Sequence, residues 1–420
     1  MNSSAYRAAL PTPSAPSASA SGMAGSESLQ VVRAEQLTAL DIAQWSALEA
    51  RAIEPNAYMS PHFVLPALRC LDPQANVEIW FVRRLEEGDA GLIGVCPFVR
   101  RRWSTRFPFP HLEAYQSVHS YLSGPLLHQA HAEQALEQML AFALSQPAKG
   151  LAIVLPCVEA QGPTARLMGA WGQRRMMQVH RRDERARSLL VPSQAGPGSI
   201  KSSLGSKVNE VARNRRRLAG EGTCAWQALR PTEPARAIEN FLALEHRGWK
   251  AEAGSSLRSN PAHEAFFRDM TTRFAAEGRA WFTELSLNGQ VIASTSNFIS
   301  GCAGFAFKVG WNDDYRKFGI GILNELNLLE SAPEVCSDLA YIDSGAASGS
   351  FIDSLWPARR QLSALVLPLG RVGRSLWRLA EAAHAAKASV DRLRRGPRSA
   401  TGSVEPASPA TKAEPLPPTH

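Results

Sequence analysis

The stretch Ala303–Glu330, AGFAFKVGWNDDYRKFGIGILNELNLLE, constrains the chain more than any other, because it changes periodicity within one short loop. Gly304 to Val309 is a short apolar, aromatic run closed by Gly310, which reads as a buried strand. From Ile320 onward, Ile322, Leu323, Leu326 and Leu329 fall at helical spacing. Between the two lies Arg316-x-x-Gly319-x-Gly321. Glycines at a helix start strip the loop of side chains, so backbone N–H groups can approach a large anion, whose charge the helix dipole favours. A diphosphate fits that description. The pattern is neither a Walker loop nor the dinucleotide fingerprint, since no Gly-Lys-Ser/Thr follows and Asn324 stands where the last fingerprint glycine belongs. Taken alone, the same pattern also suits an ordinary turn.

A length of 420 residues exceeds one ordinary core and predicts two domains with tails. Six cysteines, at 70, 96, 157, 224, 302 and 336, show no CxxC or Cys/His clustering, so no metal site or disulfide framework is expected. Residues 1–27 are rich in Ser, Ala and Pro without a signal-peptide core, and no transmembrane run follows, which predicts a disordered leader and a cytoplasmic protein. The net charge is +8, but residues 371–398 alone hold eight basic and two acidic side chains and carry +6 of it. The basicity therefore belongs mostly to one segment, and a nucleic-acid partner is not favoured.

Strand-like and helix-like segments alternate along the chain, which predicts an α/β fold with mixed central sheets flanked by helices. In the first half, helices are expected at Ile42–Ala52, Pro61–Leu71, from His131 and near Ala165–Trp171. Strands are expected at Val77–Arg84, Gly91–Arg100, Tyr121–Leu127 and Leu151–Pro156, with residues 101–120 as a loop. The second half repeats the plan: a strand at Ser188–Pro192, a basic helix Ser199–Gly220, a strand Thr223–Leu229, helices ending near Gly248 and over Pro261–Glu277, then three strands, the glycine turn and its helix. A strand at Leu339–Asp343 and an apolar run at Leu362–Pro368 close it.

The Arg-x-x-Gly-x-Gly turn between a strand and a helix resembles the coenzyme-A-binding loop of the GNAT acetyltransferases. The segments FLALEHRGWKAEAGSSL, ELSLNGQVIASTSNFI, FAFKVGWNDDYRKFGIG and YIDSGAASG, in that order, resemble the CelD/BcsL-like acetyltransferases associated with bacterial polysaccharide synthesis. MSPHFVLPALRCL and SYLSGPLL resemble the first half of the same family. The resemblance implies two tandem GNAT-like domains, with Fem-type peptidyltransferases as relatives. The expected boundaries are 28–184 and 185–368, followed by a basic amphipathic helix over 369–395 and a disordered tail over 396–420. It also implies acetyl-CoA or another acyl-CoA held by Arg316, Lys317, Phe318, Gly319, Ile320 and Gly321, and a sugar or glycan acceptor; since only the second half has the Arg-x-x-Gly-x-Gly turn, one cofactor site is expected, with the first half shaping or covering the acceptor cleft.

Acyl transfer from a thioester needs a polarised carbonyl, a deprotonated acceptor and a protonated leaving thiolate. Asp343, beyond a short strand, is the expected general base, or else a turn residue before Gly345. Lys308 lies in an otherwise apolar strand and is a candidate for polarising the carbonyl or meeting phosphate, or else an exposed lysine on a solvated face. Tyr315, with Tyr341 as the alternative, is the candidate for protonating the thiolate. His246, Trp249 and Lys250, around Gly248, are expected at the acceptor, unless they merely end a helix. His119, Ser120 and Tyr121 are the first half's most distinctive spot. The basic run Lys207–Arg217 reads as a solvated helix face.

The apolar stripe Val372, Leu376, Leu379, Ala383, Ala386, Val390, Leu393 has heptad spacing. Docking on the body, self-association, and peripheral contact with the inner face of a membrane are its three readings. The rival functions are a Fem-type transferase fed by aminoacyl-tRNA and a non-catalytic accessory protein of a polysaccharide synthesis complex.

Overall fold

The computed structural model describes residues 27–86, 89–198, 205–247 and 249–395. All of the expected tail and all but Glu27 of the expected leader lie outside these residues. The chain up to Arg374 forms one compact unit and the chain from Ser375 a second.

The first unit is built on one sheet. Its strands are β1 (Glu27–Val32), β2 (Val77–Glu86), β3 (Asp89–Arg101), β4 (His111–Ala114), β5 (Leu126–Leu127), β6 (Ala152–Glu159), β7 (His180–Leu190), β8 (Cys224–Leu229), β9 (Ala280–Leu287), β10 (Gln290–Ser300), β11 (Ala303–Trp311), β12 (Tyr341–Asp343) and β13 (Ala358–Pro368). Their spatial order is β1-β2-β3-β4-β6-β13-β7-β12-β11-β10-β9-β8, with β5 pairing β3. Two neighbouring pairs are parallel, β4 with β6 and β11 with β12, and each is joined through a helix, Ala132–Ser145 in the first case and Ile320–Val335 in the second. The tandem plan that residue identity leaves unproven is thus visible in topology.

The expected division between residues 184 and 185 falls inside β7, and the halves do not part there. β7 follows the first half in sequence but lies between β12 and β13, whereas β13, the last strand, lies between β6 and β7. Each half therefore inserts one strand into the other. β13 is buried along Leu362–Pro368, as a central strand covered on both faces must be.

The expected strand over Ser188–Pro192 begins at His180 instead. Its outer residues, HRRDERA, look like loop by composition but pair with β13 on both sides of an irregularity at Asp183 and Glu184. The expected strand Tyr121–Leu127 shrinks to Leu126–Leu127, because Gly124 takes a φ of +105° and Pro125 follows it. The expected loop 101–120 instead contains β4. The basic helix runs Val208–Ala219, and residues 199–204 of the expected span lie outside the described set.

An aromatic core joins the halves. Phe63, on the helix Pro61–Cys70, meets Phe266, on the helix Pro261–Ala276, at 5.2 Å, and Tyr58 meets Phe305 of β11 at 5.8 Å. Such pairs add roughly 0.5–1.5 kcal/mol each beyond burial. The helix Gly370–Arg395 follows β13, and among the described residues no helix is long and apolar enough to cross a membrane.

Candidate active site

β11 and β12 stay together for only three residue pairs, Ala303 with Tyr341, Gly304 with Ile342 and Phe305 with Asp343. β12 ends there while β11 runs on to Trp311, so beyond Phe305 the edge of β11 facing away from β10 leaves its strand neighbour. β11 is also bulged. Ser296 of β10 pairs with Lys308 and Asn297 with Ala306, which leaves Phe307 as an extra residue. In a regular strand successive side chains alternate between faces. Here Ala306, Phe307, Lys308 and Val309 all line one cavity of 260 Å³, opposite Ser344, Gly345 and Ala346. Gly345 has a φ of +62°, and a Cβ on it would sit 2.6 Å from the Ala306 carbonyl oxygen, so this close crossing needs glycine.

The glycine turn stands beside this opening. Asp313–Phe318 forms a 3₁₀ turn, Gly319 takes the left-handed conformation with φ +64°, and the helix Ile320–Val335 starts at once. No side chain caps that helix, and the geometry of any α-helix leaves the N–H groups of Ile320, Gly321 and Ile322 without partners inside it. Phe318 is buried, with Lys317 and Arg217 over its ring at 4.7 and 5.5 Å. Arg316 is exposed, 3.9 Å from Asp313. A second cavity, of 220 Å³, is lined here by Gly319, Ile322, Phe318, Lys207 and Asn214, and Phe351 forms a wall of both cavities. The basic helix is thus not simply a solvated face: it covers the turn, and its Arg215 pairs with Glu330 at 2.8 Å.

Within the larger cavity stand Lys308, Lys250, Tyr121, Thr295 and Glu325. Burial lowers the Lys308 pKa, against the pull of Glu245. Lys250 donates to the Val309 carbonyl at 2.8 Å and lies 3.5 Å from Glu245, and burial lowers its pKa too. Burial drives the Tyr121 phenol up to about 12. Burial also raises the Glu325 carboxyl to about 7, with only the Thr295 hydroxyl, 2.9 Å from Oε1, acting to lower it. Sequence reasoning passed over Glu325. The signal was there, because it sits between Ile322 and Leu329 on an otherwise apolar helix face.

Of the expected catalytic residues, only Lys308 reaches this cavity. Asp343 is 1% exposed and held from three sides, by Arg360 at 3.0 Å, Arg187 at 3.4 Å and the Gly345 N–H at 2.8 Å. That arrangement suits a buried anion binding β12, β7 and β13 together, and the turn-residue reading describes it better than the general base. Tyr315 packs on Phe318 at 6.4 Å, outside the lining of both cavities. Tyr341 is half-buried, with the Arg360 guanidinium 5.6 Å from its ring.

His246 ends the helix Ala235–Glu245 and shares a hydrogen bond with Ser256 at 2.7 Å. Gly248 and the Trp249 side chain lie outside the described residues, whereas Lys250 is in the cavity wall. His119, from the first half, stacks on Phe266 and meets His263 edge-on at 4.9 Å; burial, with Lys308 and His263 near, lowers its pKa to about 2. Among the described residues, no group of three or more His, Cys, Asp or Glu is placed to hold a metal.

Residues 205–351 match the family described as the acetyltransferase (GNAT) domain, a span that holds both the Gly319 turn and the gap between β11 and β12. No curated protein matches the chain. Among solved structures, a FemX crystal structure is similar at 10% identity over 83% of this chain and 99% of that one, with a TM-score of 0.50. A C-terminal domain of a putative lysylphosphatidylglycerol synthetase from Agrobacterium fabrum is 11% identical over 81% and 95%, with a TM-score of 0.49. A tandem GNAT protein from the clavulanic acid biosynthesis pathway is 15% identical over 81% and 98%, with a TM-score of 0.40. At such identities the likeness concerns the fold alone.

Proposed function

We propose that this chain, whose residues 205–351 match the acetyltransferase (GNAT) domain family, moves an acyl group from acyl-CoA directly to an amino or hydroxyl acceptor. The observation that carries the reading is the coincidence of three features at one place: an uncapped helix start at a left-handed glycine, a bulged strand edge without a neighbour, and a cavity between them and Ser344–Ala346. Coenzyme A suits these residues. The N–H groups of Ile320, Gly321 and Ile322, which have no partner inside the helix, match a diphosphate, and the edge of β11 over Ala306–Lys308, beyond which Lys250 holds the Val309 carbonyl, matches the amides of a pantetheine arm.

When bound, the cofactor supplies an activated thioester carbonyl. The helix start fixes its anionic end, the strand edge orients its arm, and Phe351 divides the two regions. Lys308, whose pKa burial lowers, has a proton to donate toward the carbonyl oxygen in either charge state. Direct transfer is favoured, since among the described residues no Cys or Ser stands as a nucleophile in this cavity beside a histidine. The acceptor we assign is an amino or hydroxyl group of a sugar or polysaccharide precursor, which rests on the resemblance to the CelD/BcsL-like enzymes. The basic segment 371–395 adds the proposal of contact with an anionic membrane surface or a second copy.

Calorimetric titration with acetyl-CoA and free coenzyme A tests the donor. A Cβ on Gly319 meets nothing nearer than Asn214 at 3.9 Å, so Gly319→Trp fits the fold at a cost of about 1–2 kcal/mol for the left-handed backbone while filling the cavity. Binding by the wild type and none by the variant is expected. No binding by the wild type would refute the reading and turn the assignment toward an aminoacyl-tRNA donor or an accessory role.

A further inference from the structure

Buried carboxylates in this protein are generally neutralised. Asp343 has Arg360 at 3.0 Å, Glu49 has Arg279 at 2.7 Å, and Glu245 has Lys250 at 3.5 Å. Glu284, without a cation, has an amide donor on each oxygen, Gln227 at 3.1 Å and Asn240 at 3.3 Å. Glu325 departs from both patterns. It is 5% exposed and forms part of the wall of the 260 Å³ cavity with Lys308, yet among the described residues it has no cation partner. A carboxyl desolvated without a partner costs stability, and such groups concentrate where chemistry needs them.

Its orientation is fixed from behind. The Trp226 indole N–H donates to Asn324 Oδ1 at 2.9 Å, which sets the direction of the Asn324 amide. Asn324 Nδ2 then donates to Thr283 Oγ1 at 2.9 Å and Thr295 Oγ1 at 3.0 Å. With its acceptor position used, Thr295 has one proton to give, and it gives it to Glu325 Oε1 at 2.9 Å. Three strands, β8, β9 and β10, thus hold one oxygen of Glu325, and no described hydrogen bond engages Oε2. What sets Glu325 apart from Glu49 and Glu245 is that this half-held carboxyl lines a cavity and lacks a cation among the described residues.

We infer that Glu325 is the general base of the transfer, with Oε2 taking the proton from the acceptor's attacking nitrogen or oxygen. This rests on the acyl-transfer reading above. The acceptor lone pair forms the bond to the acyl carbon, the carbon–sulfur bond breaks with its electron pair leaving on sulfur, and the proton taken by Oε2 equals the one sulfur requires as a thiol. The cycle therefore balances without a further reactant. Trp226, Asn324, Thr283 and Thr295 are positioning residues. Among the described residues, the ionisable groups that line the cavity with Glu325 are Lys308 of β11, Lys250 of the short helix Trp249–Glu252 and Tyr121; behind it, β8, β9 and β10 supply the hydrogen-bonding side chains Trp226, Thr283 and Thr295.

The test uses the full chain and Glu325→Gln, which keeps the shape and the bond from Thr295. Thiol release from acetyl-CoA is followed from pH 5.5 to 9, with water alone and with a panel of 2-amino sugars, alongside calorimetric binding of acetyl-CoA. The wild type should gain rate through about pH 7. Glu325→Gln should bind acetyl-CoA as the wild type does, lose roughly 10²–10⁴-fold in turnover, and lose that limb of the pH profile. Thr295→Val should shift the limb rather than abolish it. Normal binding with an unchanged rate and profile in Glu325→Gln overturns the base alone. A wild type that binds acetyl-CoA but releases no thiol with any acceptor overturns this assignment, and a wild type that does not bind it overturns the acyl-transfer reading as well.

Discussion

Asp343→Asn should act on stability before it acts on chemistry. Asp343 is 1% exposed, and its charge lies between Arg187 and Arg360, whose side chains are 5% and 3% exposed. After the substitution Arg360 keeps Glu159 at 2.9 Å and Glu54 at 3.8 Å. Arg187 keeps only the Tyr121 carbonyl, at 3.0 Å, among its described hydrogen bonds. Removing one partner of a buried pair costs about 3–5 kcal/mol. The retained partners of Arg360, and the ability of the new side-chain amide oxygen to accept from the Gly345 N–H, place the expected loss at about 3 kcal/mol, or ~4 °C in Tm for a folded unit of this size. Urea and thermal denaturation at pH 7 measure it. Arg187→Met combined with Asp343→Asn should recover part of the loss, because no buried cation is then left alone. A loss below about 1 kcal/mol would contradict the structural role. Wild-type denaturation with abolished turnover would instead restore Asp343 as a catalytic carboxylate.

Three further outcomes follow from the same geometry. Lys308→Met should keep acetyl-CoA binding and lower turnover by roughly 10²-fold, read from thiol release, and an unchanged rate would remove Lys308 from the reaction. His119, lowered to about 2 by burial with Lys308 and His263 near, favours its neutral form in the fold. The stability it contributes is therefore present above the unfolded pKa near 6.5 and lost as pH falls, by about 2 kcal/mol at pH 5, and His119→Gln should lose correspondingly less in denaturation at pH 5 than the wild type. Glu325, raised to about 7 by burial, works in the opposite sense. Its contribution is present below the unfolded pKa near 4.5 and lost as pH rises through about 7, to the extent of about 3 kcal/mol, so Glu325→Gln should flatten the fall in stability over that window.

What the sequence revealed was local, and what it hid was long-range. The glycine turn at a helix start was legible because strand, turn and helix signals all sit within Ala303–Glu330, whereas the left-handed conformation of Gly319 was not. The bulge at Phe307 and the parting of β11 from β12 were not, since both are properties of pairing between strands. Asp343 looked like a free carboxylate because Arg187 stands 156 residues away in sequence and Arg360 another 17 on the other side. The exchange of β7 and β13 defeated any linear boundary, and the charged run HRRDERA concealed the first part of β7. Glu325 was hidden by the apolar stripe around it: periodicity marks the buried face of a helix, but a carboxylate on that face gains meaning only when a cavity is seen beside it.

The proposed donor site runs from the Gly319 turn along the edge of β11 that β12 leaves uncovered. The crystal structure of the full chain with coenzyme A tests it most directly. The diphosphate is expected at the Ile320–Ile322 amides and the pantetheine arm against Ala306–Val309, with the sulfur reaching the cavity of Lys308 and Glu325. Cofactor density in the first half of the chain, or none at saturating coenzyme A, would contradict it.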